Sequence, residues 1–229
     1  MTEHNFQLGG VNLVAMPSGA LWLPDTQTLC VSDLHLGKSG RIARRAGIML
    51  PPYETADTLA RLAADIAAMR PRTVICLGDS FDDLDAAAEL TTDATTTLSQ
   101  LQADRTWIWI EGNHDPGPVA VGGTHLTEHL QEGLTFRHIA TQQPQEVSGH
   151  YHPKFRLAGM GPARACFLYD TDRLILPAYG TYTGGLMATD PVLRGQFGKK
   201  LFAVLTGKKA IVLPVTENLR QRPRGGRFY

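Results

Sequence analysis

Four short polar motifs carry the residues best suited to chemistry, and they occur in order along the first two thirds of the 229-residue chain. They are Asp-x-His at Asp33 and His35, Gly-Asp at Gly78 and Asp79, Gly-Asn-His-Asp from Gly112 to Asp115, and Gly-His-x-His from Gly149 to His152. Each motif follows an apolar run that is typical of a β-strand. Ligand sites collect at the carboxyl ends of strands in open α/β sheets, so the four motifs together predict one shared site.

The side chains in these motifs are typical of a metal centre. Imidazole, carboxylate and carboxamide groups together suit divalent ions such as Mn²⁺, Fe²⁺ or Zn²⁺, whereas Mg²⁺ and Ca²⁺ favour oxygen ligands alone. Asp33 and His35 are two positions apart, as are His150 and His152. An extended backbone would project each pair towards one side, so two ligands that are close in sequence could bind the same ion.

The elements that must position these motifs alternate between strands and helices in the first half of the chain. The segment VNLVAMPSGALWLP predicts a hairpin, and TLCVS, TVICL and TWIWI predict buried strands. A helix is predicted from about Glu54 to Met69, and a weaker Ala- and Thr-rich helical stretch follows TVICL. This β-α-β-α-β order indicates a largely parallel sheet.

The second half of the chain has a different pattern. Its short apolar runs, among them TFRHIA, ARACFLY, LFAVL and AIVLPV, are separated by Gly, Pro and Asp turns, which predicts a second, more antiparallel sheet. We expect one domain over residues 1–229, with a frayed tail from about residue 218. Cys30, Cys76 and Cys166 lie in apolar stretches and are expected to be buried thiols.

Charge is distributed unevenly, although the chain is neutral overall. From Arg194 onward there are nine basic residues and one acidic residue, so this region carries +8 and the remainder −8. The basic region could contact a polyanion, or it could be a solvated tail that aids solubility. No apolar run is long enough to span a membrane and no basic leader precedes one, so a cytoplasmic location is predicted.

The four motifs resemble the signature of the calcineurin-like metallophosphoesterase superfamily, and the match runs from Asp33 to His152. The resemblance implies an α/β fold, a sandwich of two mixed β-sheets flanked by helices, and a hydrolase with two divalent ions, for which Mn²⁺ is favoured over Fe²⁺ and Zn²⁺. It also implies seven metal ligands. One ion would be held by Asp33, His35 and His152 and the other by Asn113, His138 and His150, with the Asp79 carboxylate bridging both.

Three histidines compete for the position between the third and fourth motifs. We favour His138, which ends the β-type run LTFRH, whereas His125 and His129 are four apart in a helix-compatible stretch. The resemblance further implies that His114 faces the substrate, where it would stabilise the phosphoryl group or protonate the leaving oxygen. Asp115 could orient and charge the imidazole of His114.

A finer resemblance is to the ligase-associated DNA damage response endonucleases. The segments that carry it are Asp33–Lys38, Arg44–Ile48, Leu77–Phe81, Phe136–His138 and Leu176–Leu186. This resemblance implies a manganese-dependent phosphodiesterase that nicks single-stranded DNA in DNA repair, with relatives associated with a DNA ligase and a helicase. The alternative is a phosphatase or phosphodiesterase that acts on small molecules or phosphoproteins, because such enzymes share the same metal site.

Several residues near the motifs could contribute to substrate binding. Lys38, Arg41 and Arg44 follow the first motif and are predicted to contact flanking phosphates, although a solvated loop would also explain them. Two roles remain open for the YGTYTGG segment, which could stack bases on its tyrosines or form a structural turn. Asp82 and Asp83 could support the metal ligands or cap a helix.

Overall fold

The computed structural model describes residues 2–49, 51, 53–157 and 161–216, and this part contains fifteen strands and five helices. The strands are β1 His4–Leu8, β2 Val11–Ala15, β3 Leu21–Leu23, β4 Thr28–Val31, β5 Thr73–Leu77, β6 Thr106–Ile110, β7 Thr124–Leu126, β8 Glu128–Gln131, β9 Leu134–Arg137, β10 Glu146–Ser148, β11 Lys154–Phe155, β12 Arg164–Tyr169, β13 Arg173–Ile175, β14 Phe202–Leu205 and β15 Ile211–Pro214. The helices are α1 Lys38–Ala46, α2 Glu54–Met69, α3 Leu84–Ala88, α4 Thr92–Gln102 and α5 Pro191–Arg194.

The first sheet contains β1 to β7 in chain order. Strands β1 to β4 are antiparallel neighbours, and the predicted hairpin is formed by β2 and β3. Strands β4 to β7 are parallel neighbours, with α2 between β4 and β5 and with α3 and α4 between β5 and β6. The predicted parallel region is therefore confirmed, and the carboxyl ends of β4, β5 and β6 meet at one edge.

The second sheet has the order β15-β14-β12-β13-β10-β9-β8, and β11 pairs with β12. Strand β10 is parallel to both β9 and β13, while the other pairs are antiparallel. The segment with His125 and His129 is not helical, because β7 extends the first sheet beside β6 and β8 pairs with β9. Sheet pairing has overridden the helix-compatible spacing of these histidines.

The two sheets form the central layers of the fold. Along β5, Val74 and Cys76 face the helix-covered side of the first sheet, whereas Ile75 and Leu77 face the second sheet. Burial on both faces explains the unbroken apolar sequence TVICL. The predicted α/β sandwich of two mixed β-sheets flanked by helices is confirmed.

Helix α2 has the bounds that the sequence predicted. Its first turn contains Glu54 and Asp57, whose charges suit a helix amino end, and Leu59, Leu62 and Ile66 form its buried face. The three cysteines are buried and free, as expected. Among the described helices, none is long and apolar enough to cross a membrane. The single domain stays a prediction, and the predicted tail lies outside the described residues.

Candidate metal centre

Five loops bring the predicted ligands to one edge of the sandwich. They follow β4, β5 and β6 of the first sheet and β9 and β10 of the second. Backbone hydrogen bonds join the first two loops, from Asp33 N to Gly78 O (3.2 Å) and from His35 N to Asp79 O (2.9 Å). The two loops of the second sheet are joined in the same way, from Gly149 N to His138 O (3.0 Å). All seven predicted ligands lie in these loops.

The sequence suggested that the paired ligands project from an extended backbone, but the structure differs. Strands β4 and β10 end at Val31 and Ser148, before the ligands begin. Asp33, His35, His150 and His152 all have left-handed backbones, with φ of 54°, 46°, 69° and 46°, and so does Asp79, with φ of 45°. Such strain costs about 1–3 kcal/mol per residue and clusters at functional sites.

Asp33, His35 and His152 form the first candidate metal-binding group. The Nε2 atoms of His35 and His152 are 3.3 Å apart, and Asp33 Oδ1 lies 3.1 Å from His152 Nε2. Asp33 Oδ2 accepts hydrogen bonds from the Ser32 hydroxyl (2.5 Å) and from His150 N (3.0 Å). Within the described part of the chain, the buried Oδ1 accepts none, which leaves this oxygen for a cation.

Asp79, His138 and His150 form a second group. His138 Nε2 lies 3.4 Å from Asp79 Oδ2, 3.2 Å from His150 Nδ1 and 3.0 Å from Asn113 Oδ1. The other ring nitrogen of His138 lies 2.9 Å from Leu77 O, and since a carbonyl only accepts, Nδ1 must donate. This bond directs Nε2 of His138 at the other three side chains, an arrangement typical of a metal ligand.

Of the three competing histidines, only His138 belongs to a candidate metal-binding group among the residues that the structure describes. His125 stacks on Trp109, and His129 contacts Gln131 on the same strand. The predicted bridge by Asp79 stays a prediction, because its carboxylate lies beside His138 of the second group and accepts a hydrogen bond from His114 N (2.9 Å).

The electrostatics of the two groups suit divalent cations. Burial opposes charge on Asp33 and Asp79, but the neighbouring histidines hold both pKa values below the ordinary range. Burial also opposes charge on His138, but the Asp79 and Asp33 carboxylates raise its pKa to about 9. The two carboxylates are therefore ionised and would be stabilised by a nearby cation. The imidazole nitrogens that face them can donate lone pairs to the same cation, so the residues fit two divalent ions.

Asp82 supports the first group from behind. Its fully buried carboxylate lies 2.8 Å from His35 Nδ1, ion-pairs with Arg41 and lies 3.7 Å from Lys38 Nζ. A carboxylate on the far nitrogen of a ligating histidine fixes the ring and its tautomer. Asp83 instead caps α3 by accepting a hydrogen bond from Ala86 N (2.7 Å). The two roles left open by the sequence are thus divided between the two neighbours.

His114 lies beside His35, with the two ring centroids 5.3 Å apart, and its side chain is 29% exposed. Nδ1 lies 2.8 Å from the Asp82 carbonyl and must donate to it, so Nε2 is the nitrogen that remains for other partners. Nε2 is 4.0 Å from Asp79 Oδ2. His114, His35 and Asp82 also form a third group of close ligand atoms.

Asp115 does not orient His114, and this expectation from the sequence is wrong. Its carboxylate instead accepts hydrogen bonds from the backbone nitrogens of four residues on two loops, which are Asp79 (2.9 Å), Ser80 (2.8 Å), Phe81 (3.2 Å) and Gly112 (3.0 Å). Burial, with a contribution from the Asp79 charge, raises the pKa of Asp115 to about 6. Asp115 therefore joins the loops that follow β5 and β6.

The three bases predicted to contact phosphate have internal partners. They lie on α1, an unpredicted helix, where Lys38 and Arg41 face Asp82 and Arg44 pairs with Asp83 and Glu89. Three positive charges are thus matched by three negative ones. Contact of these bases with phosphate stays a prediction, and acidic side chains from the loop after β5 and from the residue after α3 pair with them in this structure.

The two tyrosines of the YGTYTGG segment have different environments. Tyr179 is buried, donates a hydrogen bond to Asp65 Oδ2 (2.9 Å) and lies under the Arg61 guanidinium, 4.8 Å from ring centroid to Cζ. Tyr182 is 37% exposed. Tyr179 therefore has a structural role, whereas the Tyr182 side chain lies at the surface.

Comparison with known proteins agrees with this geometry. The family model described as "Calcineurin-like phosphoesterase" matches residues 26–191, which include all seven predicted ligands. The chain is also similar to a crystal structure of nuclease MPE from Pseudomonas putida, with 26% identity and a TM-score of 0.73 over 93% of this chain and 100% of that one. No curated protein matches the sequence significantly.

Proposed function

Because the chain belongs to the calcineurin-like phosphoesterase family, we propose that it is a phosphodiesterase that cuts single-stranded DNA endonucleolytically with two Mn²⁺ ions. The observation that carries the proposal is the pair of ligand groups, Asp33, His35 and His152 beside Asp79, His138 and His150. Asn113 completes the second group through its contact with His138. The family uses divalent ions, and two such ions close together suit in-line displacement at phosphorus.

The residues of the chain would divide the chemistry between them. Bound divalent ions supply Lewis acidity, which activates water and neutralises phosphoryl oxygens. His114 presents Nε2 beside the Asp79 carboxylate on a partly exposed ring, where a proton on Nε2 would be donated to a leaving oxygen. The Asp82 carbonyl holds Nδ1 and so fixes the direction in which Nε2 points.

Nucleic acid is the favoured substrate because the similar Pseudomonas putida protein is a nuclease and its whole chain is covered by the match. The preference for single-stranded DNA, a role in DNA repair and association with a ligase or a helicase rest on the finer sequence resemblance. A cytoplasmic location belongs to the same proposal. The small-molecule or phosphoprotein reading shares the metal site and differs only in substrate.

The test is to incubate the purified protein and Mn²⁺ with circular single-stranded DNA, duplex DNA, bis(p-nitrophenyl) phosphate and p-nitrophenyl phosphate. We expect linearised single-stranded circles, and loss of all activity with a chelator and in Asp79→Asn. Asp93→Asn makes the same chemical change at an exposed position of α4 and should retain activity. Intact circles together with hydrolysis of the monoester alone would contradict the nuclease and support the phosphatase.

A further inference from the structure

We propose that Tyr53 and Tyr182 form an aromatic platform that stacks the nucleobases beside the phosphodiester being cut. This inference rests on the proposed nuclease function and adds a specificity-determining surface to it. The two rings are exposed, with 57% of Tyr53 and 37% of Tyr182 accessible, and their centroids are 6.0 Å apart at an angle of 52°. Exposed aromatic side chains next to a nucleic-acid track are the usual stacking partners of unpaired bases.

The loop that carries Tyr182 lies between two loops that carry metal ligands. It follows β13, whose parallel neighbour β10 leads into His150 and His152. On one side, Tyr179 N donates to Ser32 O (2.7 Å) and Gly180 N donates to Asp33 O (3.0 Å). The segment just before Tyr182 is therefore bonded to the backbone of Asp33, a member of the first metal-binding group.

The other side of this loop contacts the segment that follows His152. Leu186 N donates to Tyr151 O (3.2 Å), and Lys154 Nζ donates to Thr183 O (3.0 Å). A Cβ atom on Gly185 would overlap the His152 carbonyl, so only glycine allows this approach. The loop that carries Tyr182 is thus hydrogen-bonded on both sides to loops that carry metal ligands.

Helix α2 fixes Tyr53 relative to the same loop. The Tyr53 carbonyl accepts the hydrogen bond from Asp57 N that begins the helix (2.9 Å). Further along α2, Thr58 Oγ1 accepts from Thr181 N (3.1 Å), and Arg61 donates to Tyr179 O (2.5 Å). The two rings are therefore mounted on elements tied together by hydrogen bonds, which limits the entropy lost when a base stacks on them.

One further observation favours a base as the occupant. Lys38, Arg41 and Arg44 are neutralised by internal partners, so they offer little net charge to a phosphate backbone. Stacking then becomes the contact that distinguishes a nucleic acid from a simple phosphodiester, and it favours strands whose bases are not already paired.

The experiment compares a single-stranded thymidine oligonucleotide with an oligonucleotide of equal length whose sugars lack bases. Steady-state kinetics with Mn²⁺ are measured for the wild type, Tyr182→Ala, Tyr182→Phe and Tyr53→Ala. Phe202→Ala is the matched control, because Phe202 is also 37% exposed but stacks on Tyr169 in the second sheet. Circular dichroism and thermal unfolding establish that each variant is folded.

We expect Tyr182→Ala to raise KM for the thymidine oligonucleotide about 5- to 150-fold, the range for loss of one stacked base, with kcat little changed. Tyr53→Ala should act in the same direction, Tyr182→Phe should restore the wild-type KM, and Phe202→Ala should have no effect. On the abasic oligonucleotide, the wild type and Tyr182→Ala should have equal KM values.

Two results would overturn the stacking role alone. One is a wild-type KM in both alanine variants while DNA is still cut, and the other is an equal rise in KM on the normal and the abasic oligonucleotide. A wild-type protein that hydrolyses bis(p-nitrophenyl) phosphate but cuts no oligonucleotide would overturn the nuclease function and the platform together. The failures of the two proposals are therefore distinguishable.

Discussion

Replacing Asp82 by asparagine tests whether the metal centre depends on a residue outside the two ligand groups. The carboxylate is fully buried and faces His35, Arg41 and Lys38 at once. Burial alone would raise the pKa of Asp82, but hydrogen bonds from His35 and Arg41 and the charge of Lys38 lower it to about 2. The group therefore stays ionised, and Asp82→Asn removes a buried negative charge without removing volume.

The magnitude follows from the number of acceptors. One carboxylate oxygen faces His35 and the other faces Arg41, whereas asparagine has a single acceptor oxygen. One of the two donors must then face an amide NH₂ group. Loss of such a partner behind a ligating histidine costs about 10- to 100-fold in metal affinity or activity, or about 1.4–2.7 kcal/mol.

The assay is calorimetric titration of the metal-free protein with Mn²⁺, together with hydrolysis of bis(p-nitrophenyl) phosphate as a function of Mn²⁺ concentration. Asp83→Asn is the matched control, since it makes the same change one residue away, and asparagine also caps helices well. We expect weaker metal binding in Asp82→Asn alone. Wild-type metal affinity in Asp82→Asn, or an equal loss in Asp83→Asn, would refute the reasoning.

Three further substitutions test other parts of the site. In Gly149→Ala the new methyl group would overlap the Ser32 hydroxyl, so we expect thermal unfolding to show a free energy of unfolding lower by about 1–3 kcal/mol. Gly184→Ala is the control and should be neutral, because a Cβ there meets no atom of the described residues within 4 Å. Asp115→Asn sets an NH₂ group against backbone donors and should lower the free energy of unfolding in urea by about 2 kcal/mol; unchanged stability would contradict this. His114→Ala should slow DNA cleavage by about 100-fold or more but slow nitrophenyl ester hydrolysis much less, because nitrophenolate leaves without a proton; equal losses would exclude the acid role.

The sequence predicted the parts of the molecule that depend on local pattern. TVICL and TWIWI are buried on both faces, so their unbroken apolar character indicates strands without any knowledge of the partners. The apolar face of Glu54–Met69 repeats with helical spacing and ends before Pro71, so the bounds of α2 could be read directly. The motifs follow these strands, which is why the position of the site was also predictable.

The features that the sequence did not predict depend on contacts between distant segments. The left-handed backbones at Asp33 and His35 are held by hydrogen bonds to the Gly78 and Asp79 carbonyls of the next loop. Asp115 was assigned to its sequence neighbour, but its carboxylate turns to the loop after β5. No local spacing indicates which of several nearby groups a carboxylate will choose.

The bases that follow the first motif show how this limit affects inferences about function. Lys38, Arg41 and Arg44 looked like a phosphate-binding run, because a cluster of cations suggests an anion. Folding places Asp82 and Asp83 against them, so their charge stabilises the carboxylate that orients His35. The ions would then supply the attraction for the phosphate, and the exposed rings of Tyr53 and Tyr182 would supply the preference for a nucleic acid. Basic residues beside a metal motif therefore do not by themselves indicate a bound polyanion.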